Sequence, residues 1–160
     1  MEPEALLKSF MRNVAQPVFI VTAKSSIGYS AFTASSVTSI SLDPPLMMVS
    51  VAKGSKSHDP LVNSRYFIIS LLDRSGANVA SIMAGREDPL EKLKKAGFKD
   101  TKYGPLVNGS IAYLALEKYR VYEGGDHSIV LGKIIYGDVP GEVECPLLYH
   151  NRRYTSIRNC

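Results

Sequence analysis

Six hydroxyl side chains stand close together in the first third of the chain. Within nine residues the sequence places Thr33, Ser35, Ser36, Thr38, Ser39 and Ser41. Hydroxyls both donate and accept hydrogen bonds, and small or β-branched neighbours leave the backbone within reach of a flat ligand. An Asp43-Pro44-Pro45 corner then joins this run to an apolar strand. The pattern favours a cradle for a flat, polar ligand.

A second cluster lies where that apolar strand runs out, over the stretch 50–60. The turn carries Lys53 and Lys56 together with a glycine and further polar side chains. A phosphate monoester needs a cation, hydroxyls and backbone N–H groups that converge on its oxygens, and a turn of this composition can supply them. A polar surface loop would have a similar composition. The residues alone leave both interpretations open.

Two further segments carry isolated side chains that could contact a ligand. Gly125-Asp126-His127 opens a strand, and its histidine could either bind a ligand or simply cap the strand. The run 146–154 holds Tyr149 and Tyr154, which could fill a barrel mouth. Arg152 between them could instead meet a pyrophosphate.

Taken together, these segments resemble the flavin reductase family. The family's run T-A-S-S/N-x-T-S-V-S-x-D-P-P-L is matched nearly throughout from Thr33 to Leu46. The later segments match the family's G-D-H-x-h-x-x-G motif and, more loosely, its P-L-h-Y-x-x-x-x-Y ending. The resemblance covers about residues 10 to 155. It implies a mainly β fold, the dimeric FMN-binding split β-barrel with Greek-key connections and a few short helices.

The resemblance also implies which residues bind the cofactors. Expected to hold FMN, with FAD as a possibility, are Thr33, Ala34, Ser35, Ser36, Val37, Ser39, Ser50, Val51, Ala52, Lys53, Lys56, Ser57 and His58. Expected to contact NADH are His127, Tyr149, His150, Asn151 and Arg152. Hydride passes between the two cofactors, so the protein must stack and orient the rings, and no general acid or base is expected.

The periodicity of the remaining sequence predicts one domain over residues 1–160, with β-strands and short helices. An amphipathic helix is expected at 3–14, closed by Pro17 and packed on the barrel or on a second subunit. A second helix is expected at 75–84, and a third begins with Asp88 as N-cap, with Glu91 completing a capping box, and ends at Gly97. Strands are expected at 18–22, 27–35, 46–51, 66–71, 111–121 and 127–136.

Composition and motifs argue against several classes of function. The net charge of +4 and the pI near 9.0 favour anionic partners, but the basic residues are scattered and indicate no nucleic-acid surface. The run Lys92-Leu93-Lys94-Lys95 is expected to be a solvated helix face. Neither a Rossmann nor a P-loop motif occurs, and the histidine spacing suits no zinc hydrolase.

Without an export signal or an apolar run of about 20 residues, the sequence predicts a cytoplasmic protein with no membrane partner. Cys145 and Cys160 are expected to be free thiols.

The expected function is NADH-dependent reduction of flavin for a separate flavin-dependent aromatic monooxygenase, as in the two-component 4-hydroxyphenylacetate 3-monooxygenase type. One alternative is a split-barrel flavoprotein that holds FMN tightly and shuttles electrons without consuming NADH. The other is a basic binding module without enzymatic activity, which the scattered charge and few exposed aromatic runs favour poorly.

Overall fold

The computed structural model describes residues 2–141 and 145–157 of the chain. Its helices are α1 (Pro3–Arg12), α2 (His58–Asn63), α3 (Ala77–Met83) and α4 (Pro89–Ala96), with a 3₁₀ turn at Arg74–Gly76. The strands are β1 (Gln16–Pro17), β2 (Phe19–Ser25), β3 (Gly28–Ala34), β4 (Val37–Leu42), β5 (Pro45–Ala52), β6 (Tyr66–Leu71), β7 (Phe98–Thr101), β8 (Gly104–Val107), β9 (Ala112–Gly124), β10 (His127–Asp138), β11 (Leu148–His150) and β12 (Arg153–Thr155).

Seven strands form one antiparallel sheet in the order β3-β2-β6-β9-β10-β5-β4. The two outermost strands, β3 and β4, are joined in sequence by only Ser35 and Ser36. A link of that length spans roughly 10 Å, so the sheet must roll up until its edges are neighbours. The edges do not pair with each other, which leaves the barrel split along this seam. The predicted mainly β split barrel is confirmed.

The barrel interior is filled by one face of all seven strands. Its buried residues are Val21, Ala23, Ala34, Val37, Val49, Val51, Phe67, Ile69, Leu116 and Val130, with Leu61 of α2. Gly132 of β10 makes room for the Phe67 ring, because a Cβ at this position would lie 2.5 Å from that ring. The tight fit fixes how the sheet curls around its core.

A second apolar layer covers the outside of β2 and β3. Helices α3 and α4 and strand β8 pack there, with Ala80, Met83, Leu93 and Val107 buried against Ile20 and Ala31. This layer holds the connection between α3 and α4 beside the barrel seam.

The six predicted strands are all present, with ends that differ by up to three residues. Strand β4 was not predicted, because the hydroxyl-rich run 33–41 reads as one continuous cradle. The structure divides that run between β3 and β4, at opposite ends of the sheet order. Strands β1, β7, β8, β11 and β12 were also missed, since pieces of two to four residues are too short to show a period.

The helix predicted at 75–84 is present as the 3₁₀ turn Arg74–Gly76 followed by α3, which begins at Ala77 and ends at Met83. The predicted N-cap of α4 is confirmed. Asp88 accepts hydrogen bonds from the backbone N–H groups of Leu90 at 2.9 Å and Glu91 at 3.4 Å. Gly97 ends α4 with a φ of +76°. The capping box is not formed, because the Glu91 carboxylate pairs with Lys94 at 2.8 Å instead.

Helix α1 forms as predicted but ends at Arg12, two residues early, and no residue in it is buried. Its apolar side chains face solvent, with Leu7 62% and Phe10 69% exposed. The packing of α1 on its own barrel is therefore not observed.

Candidate functional site

A cavity of about 610 Å³ lies beside the barrel seam. Strand β3, the turn from β5 into α2, and the connection from α3 to α4 form its walls. Its lining residues are Phe32, Thr33, Ala52, Gly54, Ser55, Lys56, Ser57, Met83, Ala84, Gly85, Arg86, Glu87 and Lys92. The volume lies in the range of small-molecule and cofactor sites.

Three cations surround this cavity. The side chains of Lys56 and Arg86 are exposed at its rim, whereas Lys92 is 4% exposed in its wall. The only carboxylate in the lining, that of Glu87, is paired with Lys95 at 2.6 Å. The cavity is therefore electropositive and suited to a phosphate-bearing ligand.

Lys92 holds the α3–α4 connection in place. Its Nζ donates to the carbonyl oxygens of Met83 at 2.9 Å and Gly85 at 3.1 Å. Burial lowers the pKa of the Lys92 ammonium below its ordinary value, although the neighbouring acids Glu87 and Asp88 act in the opposite direction. An ammonium has three N–H donors, and these two carbonyls use two of them.

The interpretation of Lys92–Lys95 as a solvated face is thus wrong at its first residue. Lys92 follows Pro89 by three positions and precedes Leu93, and both are buried. Residues three or four apart lie on the same face of a helix, so Lys92 shares the inward stripe. This spacing is visible in the sequence and could have identified Lys92 as an inward-facing residue.

Two of the predicted hydroxyls in the lining form hydrogen bonds that join the walls of the cavity to one another. Thr33 Oγ1 donates to the Ala80 carbonyl of α3 at 2.6 Å. The buried Ser57 hydroxyl donates to the Ala31 carbonyl and accepts from its N–H, both at 3.1 Å. These bonds fasten α3 and the β5–α2 turn to β3. They fix the shape of the cavity.

Other residues of the first predicted segment lie elsewhere. Ala34 and Val37 are buried inside the barrel, and the Ser36 carbonyl accepts from the Ser50 N–H at 3.1 Å, which extends the pairing of β4 with β5. Ser39 is exposed on β4. Ser35 lines a neighbouring cavity of about 240 Å³.

In the second segment, Ala52, Lys56 and Ser57 line the main cavity, whereas Lys53 and His58 make contacts outside its lining. Lys53 Nζ donates to the Gly125 carbonyl at 2.9 Å and pairs with Glu123, which lowers the pKa of that carboxyl. These contacts tie the end of β5 to the β9–β10 turn.

His58 is largely enclosed and bridges two polar groups. Its Nδ1 lies 2.7 Å from Asp59 Oδ1 and its Nε2 lies 2.9 Å from the hydroxyl of buried Ser128. The side chain of Val51 packs in the barrel interior on the same face as Ser128, its partner across the strands.

His127 stands beside the main cavity. It pairs with Ala52 across β10 and β5, and paired residues of antiparallel strands share a face. Its Nδ1 lies 2.7 Å from Asp126 Oδ1, which lowers the pKa of that carboxyl, and its side chain is 42% exposed. The contact leaves Nε2 without a partner among the described residues.

The closing segment is a hairpin of β11 and β12. Asn151 and Arg152 form its two-residue turn with φ of 47° and 63°, the left-handed pair that a tight hairpin requires. The rings of Tyr149 and Tyr154 meet edge to face at 5.3 Å, and both line the 240 Å³ cavity. His150 is exposed on the hairpin.

Two smaller cavities neighbour the main one and share lining residues in turn. The 240 Å³ cavity shares Thr33 and Ala84 with the main cavity. It shares Gln16 and Tyr149 with a third cavity, of about 320 Å³, which Asn151 and Arg152 also line. The first two and the closing predicted segments thus contribute residues to neighbouring cavities, and His127 lies beside the main one.

The α3–α4 connection is the part of the site that sequence reasoning missed. It supplies Ala84, Gly85 and Arg86 to the lining. The run falls between two predicted helices and includes a glycine and an arginine, a composition that could have marked it as a binding loop.

Comparison with known proteins bears on this site. The flavin reductase like domain model matches residues 11–158. The chain belongs to the flavin reductase family. The reductase component of 4-hydroxyphenylacetate 3-monooxygenase from Thermus thermophilus is 30% identical over 150 residues, covering 94% of each protein. The NADH:FAD oxidoreductase SgcE6 of Streptomyces globisporus C-1027 has a structure with a TM-score of 0.89 and 27% identity, covering 99% of this chain and 95% of that one.

Other members of the flavin reductase family are longer than this chain. The reductase component of the flavin-dependent trigonelline monooxygenase of Acinetobacter baylyi is 32% identical over 127 residues, which cover 79% of this chain and 39% of that protein. Across three such relatives the matched part spans 39 to 59% of their length.

No helix within 2–141 and 145–157 combines the length and apolar character needed to cross a membrane. The same residues hold no group of three or more His, Cys, Asp or Glu side chains that could hold a metal ion. Cys145 is a free thiol, and Cys160 lies outside the described residues.

Proposed function

We propose that this chain catalyses the NADH-dependent reduction of FMN, with FAD as a possible second substrate. The observation that carries the proposal is the ring of Lys56, Arg86 and Lys92 around a 610 Å³ cavity in a flavin reductase fold. The relatives include a protein named NADH:riboflavin 5'-phosphate oxidoreductase and one named NADH-dependent FAD reductase. The two names support both flavins.

We place the flavin phosphate against these three cations. Lys56 and Arg86 can reach it from the rim, and Lys92 can donate its remaining N–H from the wall. The carbonyls of Met83 and Gly85 hold the Lys92 ammonium in place before the ligand arrives. A fixed donor loses little conformational entropy on binding, which favours affinity.

The flavin ring would then lie along β3, against Thr33 and the backbone that follows. A bound flavin accepts the hydride that NADH supplies, so the residues only have to hold the two rings in contact. The bonds from Thr33 to Ala80 and from Ser57 to Ala31 keep this wall rigid. A rigid wall holds the distance between the rings, on which the rate depends steeply.

We assign the nicotinamide to the side of the cavity where His127 stands. Asp126 accepts from Nδ1 and leaves Nε2 free to hydrogen-bond a carboxamide group. The assignment makes His127 an orienting residue and gives no residue of the chain a role as acid or base.

The reduced flavin would pass to a separate oxygenase acting on an aromatic substrate, in the cytoplasm, where NADH is supplied. Reductase components of two-component monooxygenases are frequent among the relatives. We also propose a homodimer, since Leu6, Leu7 and Phe10 expose an apolar helix face that no other described part of the chain covers. The second copy is the proposed cover.

Two measurements test the proposal. NADH oxidation is followed with and without added FMN, and FMN affinity is measured by equilibrium dialysis for a Lys56→Gln/Arg86→Gln variant. We expect oxidation to rise to a plateau with FMN, and affinity to fall at least tenfold in the variant because charge-assisted bonds are lost. A Lys94→Gln/Lys133→Gln variant, which loses the same charge away from the cavity, should bind FMN normally.

An unchanged affinity in the first variant would refute the phosphate assignment. A protein that keeps one flavin through purification and oxidises no NADH would instead be the electron-shuttling flavoprotein.

A further inference from the structure

His127, the residue proposed to orient the nicotinamide, is carried by the tight turn between β9 and β10. Gly125 in this turn has a φ of +68°. The imidazole is 42% exposed, and the Asp126 carboxylate that it contacts is 95% exposed. An ion pair or hydrogen bond between exposed groups is weak, so this contact alone does not fix the ring. The position of His127 therefore depends on what holds the turn.

Lys53, the residue that follows β5, contacts the turn on the N-terminal side of His127. Its N–H donates to the Asp126 carbonyl and its Nζ donates to the Gly125 carbonyl, both at 2.9 Å. The ammonium also pairs with Glu123, which lowers the pKa of that carboxyl. Hydrogen bonds from a charged donor are stronger than those between neutral groups. One lysine thus holds three residues in and beside the turn.

His58 contacts the strand on the other side of His127. Its Nε2 lies 2.9 Å from the hydroxyl of Ser128, which is 3% exposed. The His58 side chain is itself only 15% exposed, and its Nδ1 lies 2.7 Å from Asp59. A hydrogen bond in such surroundings is costly to break, because each group then loses its partner away from water. The residues on both sides of His127 are therefore tied to the segment 53–58.

The segment 53–58 also forms a wall of the main cavity. Lys56 and Ser57 line that cavity. The Ser57 hydroxyl fastens this wall to β3 through its two hydrogen bonds of 3.1 Å with the backbone of Ala31. The wall proposed to hold the flavin phosphate and the turn that carries His127 are thus joined in one hydrogen-bonded unit.

This connection matters because hydride transfer needs the two rings at a fixed separation. A displacement of about 1 Å can lower the rate as much as 100-fold. In the proposed function the flavin phosphate is placed by the wall at Lys56, and the nicotinamide is placed by His127. Lys53 and His58 connect these two parts, although neither is in the lining of the cavity.

We propose that Lys53 and the His58–Ser128 pair are positioning residues, which hold His127 in place beside the flavin and so set the KM for NADH without contacting either cofactor. This inference rests on the proposed function. It gives Lys53 a role different from that of Lys56, which lies in the same turn and faces the cavity.

A double-mutant cycle tests the inference. Lys53→Met removes the ammonium, and Ser128→Ala removes the hydroxyl that His58 contacts. Each change is made in wild type and in a His127→Ala background, and the KM for NADH is measured together with FMN affinity. The control is Lys24→Met, in which the same substitution removes an ion pair of 3.6 Å outside the cavity lining.

We expect Lys53→Met and Ser128→Ala each to raise the KM for NADH about fivefold, with FMN affinity within about twofold of wild type. In the His127→Ala background neither change should raise the KM further, because a residue that acts through the imidazole has no effect once the imidazole is gone. Lys53→Arg should restore most of the KM, since a guanidinium can donate to the same carbonyl. The control should match wild type.

Backbone hydrogen exchange follows the turn without any catalytic turnover. Amides in 123–128 should exchange at least about tenfold faster in Lys53→Met, whereas those of Tyr66–Leu71 in β6 should not change. Exchange in 123–128 that stays at the wild-type rate would overturn the inference, as would KM effects that add in full in the His127→Ala background. If wild type oxidises no NADH, the proposed function fails, and the exchange rates still show whether Lys53 holds the turn.

Discussion

Replacing Lys92 with methionine should distinguish the contribution of the flavin phosphate to binding affinity from that of the flavin ring. Methionine nearly matches the length of the lysine stem but has no charge and no donor. In the structure Lys92 Nζ gives two N–H groups to the Met83 and Gly85 carbonyls and has one left for a ligand. A hydrogen bond to a charged group is worth about 1.5 to 3 kcal/mol, which is roughly 10- to 150-fold in affinity.

The assay compares FMN with riboflavin, which has the same ring without a phosphate. In Lys92→Met the affinity for FMN should fall by this factor while that for riboflavin changes no more than about threefold. Circular dichroism is the control, since two carbonyls lose a donor. Equal losses for the two ligands would refute the reasoning, because they would mean that Lys92 only supports the loop.

The pH dependence of stability and of FMN affinity is a second test of the role of Lys92. Burial lowers the pKa of Lys92 in the folded chain below its value in the unfolded chain. The unfolded state therefore binds more protons between the two pKa values, and stability rises with pH in that window. FMN affinity should fall as pH rises through the lowered pKa, because the ammonium loses its charge. Riboflavin affinity should not follow that fall, and a parallel fall would contradict the assignment.

Three further changes test other parts of the account. His127→Ala should raise the KM for NADH or lower kcat while FMN affinity stays near wild type, since ring placement controls hydride transfer; lost thermal stability with unchanged kinetics would mean that His127 only caps a strand. Phe10→Glu should yield a monomer in light scattering at micromolar concentration, because it puts a charge into the proposed dimer surface; a wild-type protein that is already monomeric and active would exclude the homodimer. Gly132→Ala should destabilise the chain by about 1 to 3 kcal/mol in urea unfolding, since its Cβ would overlap the Phe67 ring; an unchanged midpoint would show that the ring can move aside.

The sequence predicted the barrel strands well because each carries a run of β-branched or aromatic residues that packs on the core. Tyr66–Leu71 was predicted to the residue, and four of its six residues are buried. Strand β4 was missed for the opposite reason. Its middle positions Thr38 and Ser39 are polar and exposed. The strand therefore lacks the run of apolar residues by which a buried strand is predicted.

The candidate site could be predicted only in part because its two walls are distant in sequence. Lys56 stood in a turn whose composition suggested phosphate binding, and the structure lines the cavity with it. Arg86 and Lys92 come from a different connection, and only the packing of α3 and α4 on β3 brings them opposite Lys56. Conversely, the sequence predicts Lys53 as a phosphate ligand. In the folded chain its ammonium instead donates to the Gly125 carbonyl, which is distant in sequence.

The most direct test of the central claim is an anaerobic titration of FMN with NADH. FMN is present in large excess over the protein, and the absorbance of oxidised flavin is followed. We expect all of the FMN to be bleached, one equivalent for each NADH added, because reduced flavin leaves the cavity and oxidised flavin replaces it. Bleaching that stops after one flavin per chain, or that does not occur, would contradict it.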